Sequence, residues 1–172
     1  VYPGSFCPPT YGHLEVLKKA IQIWGKVLLI CSENPDKKEK MFTAEECRNM
    51  WLAYDLPEGV TVKTFTEVVS QNYDLSQFIM IRGIRQQQDL EYEQKVVEYN
   101  KQHYGIDKYV FIYTDERFVN ISSTKARQAA RNCDLLKLAE LVAPRVVGRL
   151  LKKVLKARDI FLVVGQAASG KS

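Results

Sequence analysis

Twelve residues near the start of the chain, YPGSFCPPTYGH at positions 2–13, hold three prolines, two glycines, Ser5, Thr10 and His13. That mixture suits the binding of an anion. Gly4 lets a ligand approach the backbone closely, and the prolines fix φ so that the loop loses little entropy on ordering. Gly12 and His13 open a helix, whose free N–H groups and positive dipole end face back toward the loop. Ser5, Thr10 and His13 add side-chain donors, so a phosphate between loop and helix start would be well satisfied. Three further segments carry groups of the same kind: SENPDKKEKMF at 32–42, RGIR at 82–85 and NISSTKAR at 120–127. One cationic or hydroxyl-bearing loop is ordinary; four at one edge would make a polyanion site.

A parallel sheet is the element that would gather them. KVLLIC (26–31), VTVKTF (60–65), QFIMIR (77–82) and KYVFIY (108–113) read as buried strands, and Val1 and Tyr2 as the end of another. Helical patterns separate them. GHLEVLKKAIQIW repeats Leu14, Leu17, Ile21 and Trp24 on one face, and TAEECRNMWLAY opens with Thr43 and Glu46 in capping-box spacing. A third helix runs through QQQDLEYEQKVVEYNKQ. This alternation predicts an α/β fold, a parallel sheet with helices on both faces and right-handed crossovers. Ligands of such sheets bind at the carboxyl ends of the strands, which is where the four segments fall.

Composition narrows the partners. The chain has 172 residues, 46% of them hydrophobic, enough for one domain with a proper core. No apolar run approaches a membrane span, so a soluble protein is expected. The net charge of +5 is local: of 25 basic residues six lie in RVVGRLLKKVLKAR (145–158), leaving 19 against 20 acidic ones elsewhere. That segment reads as an amphipathic helix with a solvated basic face, so neither a nucleic-acid nor a membrane partner is expected. Cys7, Cys31, Cys47 and Cys133 lack metal-ligand spacing and read as free thiols in a reducing cytoplasm.

The four segments, in this order and spacing, resemble phosphopantetheine adenylyltransferase, a member of the nucleotidyltransferase superfamily. YPGSFCPPTYGH is similar to its GSFDPxTxGH signature, PDKKEKMFTAEE to its lysine loop, IRGIRQQQDLEYE to IRGxRxxxDFEYE, and NISSTKAR to its ISSS loop. The resemblance covers residues 1 to about 155 and implies a Rossmann-like nucleotidyltransferase fold. It implies transfer of AMP from ATP to 4′-phosphopantetheine, with magnesium accompanying ATP and no protein metal ligand, in a cytoplasmic homo-oligomer of the hexameric family type. The implied catalytic residues are His13, Lys37 and Arg82. ATP would be held by Ser5, Phe6, His13, Gly83, Arg85, Glu93, Ser122 and Ser123, and phosphopantetheine by Ser5, Lys37, Arg82 and Asn100.

Several plainer readings stand beside these. Lys38 competes with Lys37, because this loop is one residue longer than the family's common form. Arg82 and Arg85 could pair with Asp89 or Glu91, Ser122 and Ser123 could simply cap the next helix, and His103 reads as an exposed side chain. Cys7 stands where the family has aspartate. A nucleotidyltransferase with another acceptor and a non-catalytic nucleotide- or coenzyme A-binding module are the alternative functions. The tail, DIFLVVGQAASGKS, reads as a strand running into a Walker A sequence, Gly165 to Ser172. It divides the chain into a nucleotidyltransferase domain at 1–157 and, at 158–172, the start of a P-loop kinase domain resembling dephospho-coenzyme A kinase.

Overall fold

The computed structural model describes residues 1–33 and 40–156; Lys37, Lys38 and the Walker A tail lie outside the described residues. The strands are β1 (Tyr2–Gly4), β2 (Val27–Cys31), β3 (Val60–Thr64), β4 (Met80–Ile84) and β5 (Tyr109–Tyr113). The helices are α1 (Tyr11–Trp24), α2 (Ala44–Trp51), α3 (Phe65–Ser70), α4 (Gln87–Tyr104), α5 (Glu116–Val119), α6 (Ser123–Arg131), α7 (Leu135–Leu141) and α8 (Pro144–Lys156).

All paired strands are parallel, β1 beside β2 beside β3, and β4 beside β5. The two sets adjoin at β1 and β4. The Val1 ammonium donates to the Ile79 carbonyl at 2.7 Å and Ile81 N–H donates to the Val1 carbonyl at 2.8 Å, the bonding pattern of a parallel ladder. The resulting order is β3-β2-β1-β4-β5. The chain builds outward in one direction and then in the other, so the order reverses between β1 and β4, and the carboxyl ends there frame the crevice where such sheets bind ligands.

Period-two alternation sends neighbouring side chains to opposite faces. Leu29 and Cys31 join the larger core with Leu17, Trp51, Leu138 and Leu150, whereas Ile30 joins a smaller one with Val68, Met80 and Ile106. Both faces are therefore covered, as the strand patterns predict. The fourth strand differs in register from its sequence reading. Residues 77–82 read as strand and RGIR as the loop beyond, but β4 runs from Met80 to Ile84 and contains Gly83. Two local causes explain it. The Asp74 carboxylate accepts from Ser76 N–H and the Ser76 hydroxyl, winding Leu75–Gln77 into a 3₁₀ turn. Gly83 is used for close packing: a Cβ there would lie 2.9 Å from Val16 Cγ2, so its absence lets α1 settle onto the strand.

Candidate active site

The loop between β1 and α1 cannot satisfy its own backbone. Pro8 and Pro9 have no N–H, and the carbonyls around them have no helix or sheet partner. Three side chains from two distant parts of the chain, α6 and the residues after α2, take those carbonyls. Arg127 Nη1 donates to Cys7 O at 2.7 Å, Ser123 Oγ to Pro8 O at 2.8 Å, and Tyr54 Oη to Pro9 O at 2.7 Å. Tyr54 in turn accepts Ala143 N–H at 3.3 Å, tying the loop to the chain between α7 and α8. Gly12 brings the start of α1 against the residue before α6, with room for a Cβ only 3.2 Å from Ile121 O. Two helix N-termini, at Thr10 and Ser122, thus meet around one proline-rich loop.

Thr10 is buried and begins α1. Its N–H donates to His13 Nδ1 at 3.1 Å, and its hydroxyl lies 3.0 Å from the same nitrogen. A backbone N–H can only donate, so Nδ1 carries no proton and the ring's donor is Nε2. The ring is backed edge-on by Phe6, centroids 5.1 Å apart. Phe6 sits at φ 41, a costly region for a bulky residue, and its ring packs among Tyr2, His13 and Trp51 with 3% exposed. Phe6 therefore supports His13 from behind, and any contact it makes with a ligand falls to its backbone. Ser5 is half-buried at the loop's start.

Across the crevice the cations are held by carboxylates. Arg82 Nε and Nη2 donate to the two Glu93 oxygens at 2.6 and 2.7 Å, and Nη1 donates to Pro3 O at 3.1 Å. One N–H remains on each terminal nitrogen. Glu93 is 8% exposed with both oxygens on Arg82, which makes it the brace of that guanidinium. Arg85 is more open: its N–H, Nε and Nη2 reach Asp89, in the first turn of α4, at 3.0 to 3.2 Å. Glu91 takes neither arginine; Glu93 takes the first and Asp89 the second. Ser122 caps α6 by accepting Lys125 N–H at 3.2 Å, and its hydroxyl proton can still be donated. Asn100 stands two turns beyond Glu93 on α4, its Nδ2 on Tyr109 Oη at 2.9 Å. The structure therefore gathers His13, Phe6 and Ser123 around the opening loop, sets Arg82, Gly83, Arg85 and Glu93 on the facing β4–α4 side with Arg82 reaching across to Pro3 O, and leaves Asn100 apart on Tyr109.

This chain is similar to known nucleotide-handling proteins along nearly its whole length. The model of the cytidylyltransferase-like family matches residues 1–129. The phosphopantetheine adenylyltransferase of Aquifex aeolicus is 33% identical over 156 residues, covering 89% of this chain and 94% of that protein. Its counterpart from Thermotoga neapolitana is 30% identical over 163 residues, covering 90% and 95%. The chain belongs to the phosphopantetheine adenylyltransferase family. A solved structure of Plasmodium falciparum nicotinic acid mononucleotide adenylyltransferase complexed with NaAD superposes with a TM-score of 0.62 at 20% identity, covering 91% of this chain and 95% of that one. The shared Rossmann-like fold is what that likeness shows.

Within this adenylyltransferase fold, the sequence reading misplaced one residue and passed over two. Thr10, read there as a donor to the anion, is buried and gives its N–H to His13 Nδ1 instead, which fixes that ring's tautomer. Arg127 follows Ser123 by four residues, so helical spacing alone places both on one side of α6. Tyr54 gave no signal, because its partners lie 45 and 89 residues away. Cys7, which replaces the family's aspartate, is buried and donates from Sγ to Phe42 O at 3.7 Å. A hydrogen bond from Cys47 holds its thiol below the ordinary range, opposed by burial and helped by the Arg127 guanidinium. All four cysteines are free, three of them buried.

Proposed function

We propose that this protein transfers AMP from ATP to 4′-phosphopantetheine, producing dephospho-coenzyme A and pyrophosphate. An oxygen of the acceptor phosphate attacks the α-phosphorus of ATP, and the bond from that phosphorus to the bridging oxygen breaks as pyrophosphate leaves. The protein supplies no nucleophile; it aligns two polyanions and neutralises charge as it moves. The observation that carries the reading is the opening loop itself, pinned through three successive carbonyls and presenting His13 with Nε2 as donor.

His13 Nε2–H donates to an α-phosphate oxygen as charge builds there, an interaction strongest in the transition state. The N-termini of α1 and α6, with Ser5, Ser122 and Ser123, surround the triphosphate. Arg85 turns from Asp89 to the β- and γ-phosphates, and Lys37 or Lys38 completes their neutralisation. Arg82, fixed by Glu93, offers its two remaining N–H groups to the acceptor phosphate. The backbone around Gly83 borders the nucleotide, with Glu93 on the ribose or adenine side. For Asn100 to reach the pantetheine arm, its bond to Tyr109 has to open. Magnesium would be bound with the ATP triphosphate and would offset its charge.

Three assignments extend this proposal. The active assembly is a homo-oligomer of the family type. Residues 1–157 form the adenylyltransferase domain, and the Walker A sequence Gly165–Ser172 opens a P-loop kinase domain, which the complete coding sequence would reveal. The enzyme works in the cytoplasm; among the described residues no helix is long and apolar enough to cross a membrane. The deciding assay is pyrophosphate release from magnesium-ATP with 4′-phosphopantetheine, nicotinamide mononucleotide or no acceptor, and from magnesium-CTP as a control. Release from ATP that depends on 4′-phosphopantetheine is expected. Release driven by nicotinamide mononucleotide would reassign the acceptor, and silence from protein that still binds ATP would make it a binding module.

A further inference from the structure

Helix α8 turns Val146, Leu150 and Val154 into the core. Its outer side supplies Arg149, Lys152, Lys153 and Lys156 to a cleft of about 650 Å³ whose remaining wall is Phe42 and Glu46. Lys153 is engaged, 3.0 Å from Glu46 Oε1 and 5.4 Å from the Phe42 ring centroid. Glu46 is engaged as well, because its Oε2 also accepts Thr43 N–H at 2.8 Å at the start of α2. Arg149, Lys152 and Lys156 make no ion pair with any described residue. Among the described residues the cleft therefore sets four cations against one carboxylate, Glu46, which Lys153 binds and whose charge Arg149 also feels.

An amphipathic basic helix usually has a merely solvated face, and two features separate this one from that case. It is concave, with a volume inside the range of small-ligand sites. Its cations also converge on an aromatic floor instead of spreading around the helix. The occupant follows from the lining. Among the described residues that line it, Phe42 is the one apolar side chain and is 6% exposed, so the lining itself is overwhelmingly cationic. We propose that this cleft is a second anion site, separate from the catalytic loop, taking a small organic ligand that carries two or more phosphate groups. Arg149 and the lysines bind its phosphates through charge-assisted hydrogen bonds. The proposal does not depend on which acceptor the enzyme uses.

The test is calorimetric titration of the full chain with inorganic tripolyphosphate. The nucleotide site is first saturated with magnesium and a non-hydrolysable ATP analogue, and the analogue's own isotherm shows whether that site is filled. Wild-type protein should bind one further equivalent. The neutral variant Arg149→Gln/Lys152→Gln/Lys156→Gln should bind it at least about tenfold more weakly. The charge-preserving variant Arg149→Lys/Lys152→Arg/Lys156→Arg should stay within about threefold of wild type, and all three proteins should turn over alike. No further equivalent in wild type, or equal binding by the neutral variant, would overturn the proposal. So would displacement by a single-stranded oligonucleotide or anionic vesicles at lower concentration than by any nucleoside di- or triphosphate.

Discussion

The two sides of the crevice are built on different physics. On the β1–α1 side, neutral and charged donors from α6 and the chain after α2 lock the backbone of a proline-rich loop, carbonyl by carbonyl. On the β4–α4 side, two arginines are positioned by carboxylates of the protein itself. The first arrangement holds its shape without competing for a ligand's charge. The second keeps cations ready but partly neutralised, and its two pairs differ in kind. Arg82–Glu93 is bidentate and largely buried, with side chains 21% and 10% exposed, so it persists as a brace. Arg85–Asp89, at 38% and 19%, is open enough for a phosphate to displace the aspartate. Under the proposed function, positioning the reacting phosphorus would fall to the backbone side, and offsetting phosphate charge through Arg82 and Arg85 to the ionic side.

Four substitutions would break or sharpen that contrast. The largest effect is expected from His13→Ala on the backbone side. Turnover should fall about 10²- to 10³-fold, the order found when a transition-state donor is removed, with ATP affinity nearly unchanged. Steady-state kinetics beside equilibrium ATP binding would separate the two. On the ionic side, Glu93→Gln strips a buried guanidinium of its partner and should cost about 3 kcal/mol in denaturant unfolding. Adding Arg82→Gln should recover part of that loss, since the pair is coupled. Ser123→Ala leaves the Pro8 carbonyl without its donor and should cost about 1 kcal/mol, read as a lowered Tm.

The smallest effect lies outside both sides. Glu67 accepts Thr64 N–H at 2.6 Å, and that bond holds its carboxyl below the usual range, against burial and with help from the Thr64 hydroxyl and Arg48. A lowered carboxyl contributes stability above its unfolded pKa and loses it as pH falls through the folded value. Glu67→Gln should therefore cost more at neutral pH than in acid, and the difference should fade as pH drops through the lowered folded pKa of Glu67. A cost that grows on acidification would contradict the assignment.

Local patterns carried much of this architecture. Alternating apolar runs with capping signals such as Thr43/Glu46 located β2, β3, β5 and the helices α1, α2 and α4, because each depends on neighbours within a few residues. The end of β4 escaped, since Gly83 is a strand residue only by virtue of Val16, far away in the chain. In the candidate site the motif strings picked out His13, Arg82, Arg85 and the Ser122–Ser123 pair. They could not reveal that Tyr54 and Arg127 pin the loop, or that Glu93 faces Arg82, because long-range pairs leave no periodic trace. Cys7 looked like a departure from the family's charge. Its burial and its bond to the Phe42 carbonyl, thirty-five residues on, left no mark in the string.

The central claim is that the backbone side is complete before any ligand arrives. The most direct test is ¹⁵N NMR of the His13 ring in the free protein, assigned by comparison with His13→Ala. The account predicts an unprotonated Nδ1 accepting from Thr10, a proton on Nε2, and the same tautomer after ATP is added. A proton on Nδ1 in the free protein, or a tautomer that changes only on ATP binding, would show that the ligand, and not the loop, sets the donor.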